Sequence, residues 1–130
     1  MTVIFLDSNK VAQLINTLNN DAEFKLAARF MSEDILFEVD DSRSIVKVRD
    51  GLVTEIKIAP GSKEHWSFSI KATAESWDKL LQPSPPPFFT GLNAGMIRGN
   101  LQILGNLEAV FAYSWAVNRM LDIMRQLQNK

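Results

Sequence analysis

The 130-residue sequence contains no cysteine and a single histidine, His65. Disulfide bonds and thiolate metal sites are therefore excluded, and so is a metal site with two imidazole ligands. No apolar run approaches the roughly 20 residues that a membrane-spanning helix requires. The N-terminal residues also lack the basic start and apolar core of a signal peptide. A cytoplasmic location is the expectation.

The sequence also lacks an excess of charge of either sign. Its 14 basic and 15 acidic residues are interspersed and leave a net charge of −1. Such a balance indicates neither a nucleic acid nor an anionic membrane as a partner. With 46% apolar and 22% charged residues, the chain has the composition of a globular protein.

No arrangement of residues that would support catalysis is visible. The glycines form no phosphate-binding loop of the Gly-x-Gly-x-x-Gly or Gly-Lys-Ser/Thr type. His65 stands near Glu64 and Ser67, which leaves a nucleophile pair as one interpretation. The three residues lie where a strand is predicted to begin, so a solvated strand start is the favoured interpretation. The sequence thus predicts no catalytic residue, no cofactor and no metal site.

The first third of the chain has the periodicity of two helices. Apolar residues at i, i+3, i+4 and i+7 predict a first helix capped by Asp7 or Ser8 and a second helix capped by Asp21. The stripe of the first helix is Val11, Leu14, Ile15 and Leu18, and that of the second is Phe24, Ala27, Ala28 and Met31.

The period then changes to two residues, which predicts four strands near positions 35–39, 45–49, 52–58 and 66–73. Asp41 to Ser44 has the composition of a turn. Asp50-Gly51 is the strongest hairpin signal in the chain, because a type I′ turn needs positive φ at both central residues. Alternation places four residues of the third strand on its inner face: Leu52, Thr54, Ile56 and Ile58.

A short helix is predicted from Ala74 to Gln82, followed by a proline run at positions 83–87 that favours an extended, stiff conformation. One or two helical turns are expected from Phe88 to Ala94, ended by Gly95. The resulting order of elements predicts one α+β domain over residues 1–130, with a single mixed sheet and helices mainly on one face.

The stretch Met96–Arg125 is predicted to be one short strand that leads into one long helix. Ile97, Gly99, Leu101 and Ile103 form one face of this strand. Asn106 is the expected N-cap of the helix. The helix is apolar on every side over residues 109–113, so we expect it to bury one face on the sheet and to present a second apolar face. Further core, a partner chain and a hydrophobic ligand are the three alternatives for what covers that second face.

Three local features make the chain resemble the sterol-carrier-protein family. The junction Gly99-Asn100-Leu101-Gln102-Ile103-Leu104-Gly105-Asn106 is similar to the family's last strand and the start of its final helix. Glu75 to Leu81 stands in the place of the short helix after the fourth strand. Pro85-Pro86-Pro87-Phe88 is similar to a proline run in stand-alone bacterial members. The resemblance covers roughly residues 8 to 125.

This resemblance implies a five-stranded sheet with a crossover after the third strand and an apolar tunnel between the sheet and the helices. Members bind sterols, fatty acyl chains or acyl-CoA and are not ascribed chemistry of their own. Three tryptophans, eight phenylalanines and five methionines supply walls that suit hydrophobic ligands, although each such residue taken singly is also explained as core. The predicted tunnel walls are Phe68, Ile70, Phe88, Phe89, Leu92, Met96, Leu101, Ile103, Phe111, Trp115 and Met120.

The leading hypothesis is therefore a non-catalytic carrier of a small hydrophobic molecule without stable membrane insertion. The alternative is an interaction or dimerisation module that docks an enzyme, or a second copy, through the apolar C-terminal helix. Arg98 and Arg119 are the candidates to meet an anionic headgroup, with solvation as the plainer interpretation. The segment from Pro83 to Gly95 is either a gate plugged by Phe88 or Phe89, or a packed connection.

Overall fold

A mixed five-stranded sheet forms the centre of the fold. The computed structural model describes residues 2–97 and 101–130, with the backbone alone for Ile97. The strands are β1 (Asp34–Val39), β2 (Ser42–Arg49), β3 (Leu52–Ile58), β4 (Phe68–Ala72) and β5 (Gln102–Gly105). Their order across the sheet is β3-β2-β1-β4-β5, with β1 parallel to β4 and every other pair antiparallel. The α+β class with one mixed sheet, predicted from the sequence, is confirmed.

Six α-helices accompany this sheet in the described part of the chain. They are α1 (Val11–Asn19), α2 (Ala22–Ala27), α3 (Ala74–Leu80), α4 (Leu92–Ile97), α5 (Leu107–Ala112) and α6 (Ser114–Gln128), preceded by a 3₁₀ turn at Ile4–Leu6. Asp21 caps α2 as predicted, since its Oδ2 accepts the Phe24 N–H over 2.8 Å. The predicted cap of α1 is wrong. Asp7 accepts the Asn9 N–H in a turn, and the helix begins at Val11 behind Lys10, which makes no side-chain cap.

The main core lies between the sheet and the helices. Alternate residues of the strands point into it, among them Ile35, Phe37 and Ile70, all without exposed surface. Phe5 of the 3₁₀ turn and Trp77 of α3 stack around Phe37, with ring centroids 4.9 Å (Phe5–Phe37) and 5.9 Å (Phe37–Trp77) apart. The N-terminal turn is thereby tied to the centre of the sheet.

The connection from β3 to β4, residues 59–67, crosses the opposite face of the sheet. It must pass β2 and β1, because these two strands separate β3 from β4. Glu64 forms ion pairs with Lys57 and Lys47, whose side chains share that face with Ile45. Leu36 and Ile45 are fully buried there, outside the main core. A loop without a helix therefore covers this face.

The β-meander formed by β1, β2 and β3 differs from the prediction in its third strand. A bulge lies where Lys47 pairs with Glu55 and Val48 with Val53. Thr54 is therefore an extra residue, and the alternation of β3 shifts. Val53 and Ile56 are buried, whereas Leu52 and Thr54, predicted to face inward, are exposed.

The turn between β1 and β2 is shorter than predicted. Strand β2 starts at Ser42, and the chain reverses at Asp40, whose φ is 52°. The type I′ turn predicted between β2 and β3 is confirmed, because Asp50 and Gly51 have φ of 51° and 81°.

The strand predicted to start at Met96 starts later. Met96 and Ile97 belong to α4, which runs through Gly95 and does not end there. The Leu101 N–H donates to the Gly95 carbonyl over 3.2 Å, and β5 begins at Gln102. The predicted positions Arg98, Gly99 and Asn100 lie outside the described residues.

Candidate functional site

The junction between β5 and α5 is built by a glycine and an asparagine. Gly105 has a φ of 102°, and a Cβ there would lie 2.6 Å from the Ser67 carbonyl oxygen, so a side chain would be strained and would clash. Asn106 Oδ1 then accepts the Ala109 N–H over 3.1 Å, which confirms the predicted N-cap. These two residues therefore end β5 and start α5 at Leu107.

The final helix is broken at Tyr113, where one continuous helix was predicted. Residue Tyr113 has φ −115° and ψ 20°, between the end of α5 and the start of α6. Two hydroxyl groups account for the break. Ser114 Oγ donates to the Phe111 carbonyl, a backbone-directed bond that bends helices. Tyr113 Oη donates to the carbonyl of Phe30 over 3.1 Å, which fixes the bend against the end of α2.

The two helix segments have an apolar face on each side, as expected from the sequence. Ala109, Val110, Ala116, Val117 and Met120 are buried towards the sheet. Leu107, Phe111 and Trp115, spaced by four residues, are exposed on the other side. The exposed fractions of Phe111 and Trp115 are 61% and 58%, which is unusual for residues of this size.

Helix α2 and the turn that follows it add two further apolar side chains to this surface, Leu26 and Phe30, the latter 76% exposed. Two contacts align α2 antiparallel to α6. Arg119 makes two hydrogen bonds of 2.9 Å to the Asp21 carboxylate, and the end of α2 meets Tyr113 as described. We call the five exposed residues the apolar face: Leu26, Phe30, Leu107, Phe111 and Trp115.

Leu26 and Phe30 are not among the residues predicted from the sequence to form the site. A signal was present, because the two residues are four apart and lie outside the buried stripe of Phe24, Ala28 and Met31. Two large apolar residues off the buried stripe of a short helix indicate a second contact surface. Their proximity to Trp115 depends on the pairing of α2 with α6, which a sequence pattern does not contain.

Behind the bend, α4 and β5 form an apolar layer. Asn118 of α6 holds α4 in place, since its Oδ1 accepts the Leu92 N–H over 2.8 Å. Gly95 packs on Leu101 so closely that an added Cβ would lie 2.5 Å from Leu101 Cδ1. Met96 and Ile103 are half-buried against this layer.

The predicted tunnel residues therefore extend from the core to the surface. Buried members are Phe68, Ile70, Phe89, Leu92, Leu101 and Met120; half-buried members are Met96 and Ile103; exposed members are Phe88, Phe111 and Trp115. The buried members belong to one core cluster, against which Met96 and Ile103 pack, whereas Phe88, Phe111 and Trp115 are not part of that cluster. The role of these residues as walls of a tunnel stays a prediction.

The proline segment ends in a buried aromatic residue. Only 9% of the Phe89 surface is exposed to solvent. Lys79 Nζ lies 5.4 Å from the centre of the Phe89 ring. The Phe89 N–H donates to the Pro86 carbonyl, which closes a turn. Its neighbour Phe88 is half-exposed with a φ of 72°.

The charged groups close to this region are largely paired with one another. The hydrogen bonds from Arg119 lower the pKa of the Asp21 carboxyl, and the same bonds raise the pKa of Arg119. Arg119 also lies 3.4 Å from Glu23. It is thus engaged in ion pairs and not simply solvated, which corrects the plainer interpretation of this residue. Arg98, the other candidate, lies outside the described residues.

Groups with chemical reactivity are sparse. Within residues 2–97 and 101–130, no three histidine, aspartate or glutamate side chains gather in a way that would hold a metal ion. His65 is exposed at the end of the crossover loop. None of the helices described is long and apolar enough to cross a bilayer.

A cavity of about 230 Å³ lies near the opposite end of α6. It was not anticipated and contains none of the predicted tunnel residues. Its apolar floor and polar rim are formed by Thr2, Val3, Leu6, Val39, Ala74, Trp77, Asp78, Leu81, Gln82, Gln128 and Asn129.

Comparison with known proteins identifies the fold. The chain aligns with the crystal structure of sterol carrier protein 2 at a TM-score of 0.74 and 18% identity, covering 88% of this chain and 92% of that one. A protein of Thermus thermophilus described as possibly a sterol carrier protein aligns at a TM-score of 0.72 and 16% identity, covering 97% and 91%. The ubiquinone synthesis protein UbiJ-SCP2 aligns at 0.57 and 16% identity, covering 87% and 90%.

These likenesses are structural. No family model matches the sequence, and no curated protein matches it either. At identities of 16–18%, the alignments show that the chain has the fold of sterol carrier protein 2. The resemblance inferred from the sequence is confirmed at that level.

Proposed function

We propose that this chain, which has the fold of sterol carrier protein 2, is a non-catalytic carrier of a small hydrophobic molecule. The ligand class is a fatty acyl chain, a sterol-like molecule or another lipid, held in an apolar tunnel between sheet and helices. Residues 1–130 form one sterol-carrier-protein-like domain with a cytoplasmic location. The neighbours named as sterol carrier proteins support this class of ligand.

One observation carries the proposal. The predicted tunnel residues range from fully buried in the core to largely exposed on the surface. Met120 and Leu101 are buried, Met96 and Ile103 are half-buried, and Trp115 is largely exposed. Contiguous exposed apolar surface is costly and usually marks a site of interaction. A flexible methionine between aromatic residues suits ligands of variable shape.

The sparse reactive groups support a carrier over an enzyme. Catalysis by acid and base needs a titratable pair positioned within hydrogen-bonding reach of a substrate. The only histidine of the sequence, His65, is exposed on a loop at the opposite face of the sheet from the helices. We therefore propose that no covalent chemistry, cofactor or metal belongs to the function.

The ion pairs of Arg119 limit the charge that the ligand can carry. Because its guanidinium already binds Asp21 and lies close to Glu23, it is not available to neutralise a buried polyphosphate. We propose a ligand that is neutral or carries a single negative charge, with an apolar body.

Native mass spectrometry of the purified protein tests this function. We expect co-purified lipid, or one-to-one uptake of a fatty acid, a sterol or a quinone offered in turn. A chain that carries nothing and takes up none of the three would contradict the carrier hypothesis.

Variants locate the site. Met96→Ala and Ile103→Ala at the half-buried layer should weaken fatty-acid affinity several-fold. The matched control is Leu104→Ala, which truncates an exposed leucine on the face of β5 opposite Ile103. Leu81→Ala tests whether the ligand binds in the cavity near the end of α6 instead of the predicted tunnel. An effect confined to Leu81→Ala would place the ligand in that cavity and not in the predicted tunnel.

The exposed row of Leu107, Phe111 and Trp115 also favours a second candidate, an interaction or dimerisation module that docks a partner enzyme or a second copy. Such a module would bind no lipid in the test above. A change of the oligomeric state caused by Trp115→Ser would then support it.

A further inference from the structure

We propose that the cavity near the end of α6 is a binding site of its own, for a small organic amine that is positively charged at neutral pH and has an apolar body. This goes beyond the carrier function, because the cavity contains none of the predicted tunnel residues and its ligand carries a charge that the tunnel ligand lacks.

The cavity lies where three distant parts of the chain meet. The N-terminal segment contributes Val3 and Leu6, the end of β1 contributes Val39, and the last turn of α6 contributes Gln128. Helix α3 supplies one continuous face, because its lining residues follow the spacing i, i+3, i+4, i+7 and i+8. These residues are Ala74, Trp77, Asp78, Leu81 and Gln82.

The walls are fixed relative to one another. Gln128 joins the end of α6 to the N-terminal segment, since its Oε1 accepts the Ile4 N–H and its Nε2 donates to the Thr2 carbonyl. The ring of Phe5 lies edge-on to that of Trp77, with centroids 5.0 Å apart, which joins the same segment to α3. A site whose walls are already held in place loses little conformational entropy on binding.

The cavity has an apolar floor and an open, polar rim. Val39 and Leu81 are buried and Leu6 is half-buried, whereas Asp78 and Asn129 are exposed. A ligand would therefore enter from solvent with its apolar end first and keep its polar end at the rim. The volume of about 230 Å³ is below the roughly 300–1,000 Å³ of sites for drug-sized molecules, so the cavity suits a single ring with a short arm.

The rim offers hydrogen-bond acceptors more than donors. Asn129 Nδ2 donates to the carbonyls of Leu81 and Arg125, over 2.7 Å each, which occupies both of its N–H groups and leaves Oδ1 as an acceptor. The Asp78 carboxylate makes neither a hydrogen bond nor an ion pair with any residue that the structure describes, and an ionised carboxylate only accepts. The matching ligand group is a donor.

The charge of the rim is negative. Among the described residues that line the cavity, Asp78 is the one with a charged side chain. Arg125, the nearest base on α6, is engaged with Asp122 and the Leu80 carbonyl. Asp40 adds a second carboxylate at the start of α3, where it accepts the Ala74 N–H over 3.3 Å. An ammonium group would form a charge-assisted hydrogen bond here, whereas the carboxylate of a fatty acid would be repelled.

Calorimetric titration of the full chain at pH 7 tests the proposal with three probes of similar shape. They are 2-phenylethylamine, which is cationic, 2-phenylethanol, which is neutral, and 3-phenylpropanoate, which is anionic. We expect the amine to bind at least fivefold more tightly than the alcohol, and the anion to bind most weakly. Amide chemical shifts of the N-terminal segment and of α3 should move with the amine, which locates it in the cavity.

Matched variants identify the recognising group. Asp78→Asn should lower the affinity for the amine at least fivefold and leave that for the alcohol unchanged, and Asp78→Glu should retain the preference for the amine. Glu75→Gln is the control, because Glu75 lies on the same helix, is 82% exposed and does not line the cavity. Ala74→Leu, at an exposed rim position one turn before Asp78, should weaken both probes by narrowing the opening. Circular dichroism checks that each variant is folded.

Fatty-acid uptake is measured in parallel and should be the same in Asp78→Asn as in the wild type, so loss of this site and loss of carrier function are told apart. Absence of amine binding, an equal affinity for amine and alcohol, or equal effects of Asp78→Asn and Glu75→Gln would overturn the proposal. Displacement of the amine by a fatty acid would also overturn it, because the cavity would then belong to the carrier function.

Discussion

At the scale of single residues, a few polar side chains link segments that are far apart in sequence. Asp21 is the clearest case, since one carboxylate caps α2 through the Phe24 N–H and binds Arg119 of α6. Asn118 similarly accepts the first backbone N–H of α4. Such residues orient the helices, whereas the apolar residues supply most of the free energy of folding.

Replacing Asp21 by Asn should separate its two roles, because asparagine is an equally good N-cap but carries no charge. The pKa of Asp21 is lowered in the folded state, chiefly by the hydrogen bonds from Arg119. Its contribution to stability is therefore complete above the ordinary pKa of 3.8 and is lost as the pH falls through the lowered value. We expect the variant to be less stable by about 1–2 kcal/mol at pH 7.

Urea unfolding at pH 7 and at pH 3 and below measures this difference, which should shrink at the acidic end. Glu75→Gln is the control, because the Glu75–Lys79 pair is exposed and should contribute little at any pH. An unchanged gap between wild type and Asp21→Asn across this range would show that the ion pair is not the cause.

At the scale of elements, the chain folds back at places where hydroxyl, amide and glycine groups interrupt regular structure. The bend between α5 and α6 divides one apolar helix into two, so Phe111 and Trp115 are presented beside α2. The proline segment and α4 then close the layer over β5, where Gly95 allows close contact with Leu101.

Phe89→Ala tests the role of the proline segment. Because Phe89 is nearly buried, we expect the variant to lose about 3 kcal/mol of unfolding free energy, as truncated core phenylalanines do. Phe88→Ala, at a half-exposed position, should cost clearly less. Urea unfolding gives the stabilities, and stopped-flow mixing with a fluorescent fatty acid gives the exchange rates. Faster exchange with nearly unchanged stability would instead support the gate hypothesis.

At the scale of the whole molecule, the two ends of α6 are in different environments. Its first turn borders the apolar face, while its last turn fastens the N-terminal segment. Gln128 accepts the Ile4 N–H over 2.7 Å and donates to the Thr2 carbonyl over 3.0 Å. The 3₁₀ turn at Ile4–Leu6, the cavity beside it and the core around Phe5 all depend on this link.

Gln128→Ala should therefore destabilise the whole fold by about 1–3 kcal/mol, because it leaves the buried Ile4 N–H without an acceptor. Hydrogen exchange at Ile4 should accelerate more than exchange in the sheet. Gln126→Ala, an exposed glutamine on the same helix, is the control and should be close to neutral. Equal losses of unfolding free energy in the two variants would mean that the hydrogen bond to Ile4 does not stabilise the fold.

Local chemistry by itself determined much of this protein. The Asp50-Gly51 hairpin, the caps at Asp21 and Asn106 and the period of the strands follow from preferences within a few residues, and the structure agrees with them. The order of elements, combined with the resemblance around Asn106, was sufficient for the fold class.

Only the tertiary structure decided the rest, because the competing energies come from residues distant in sequence. The bulge at Thr54 shifts the alternation of β3 to match β2, and α4 extends through Gly95 since Leu101 packs on it. The bend at Tyr113 is held by the carbonyl of Phe30, in the turn after α2. Likewise, the apolar face joins Phe30 to Trp115 only through the packing of α2 on α6, an arrangement that no periodicity within either helix contains.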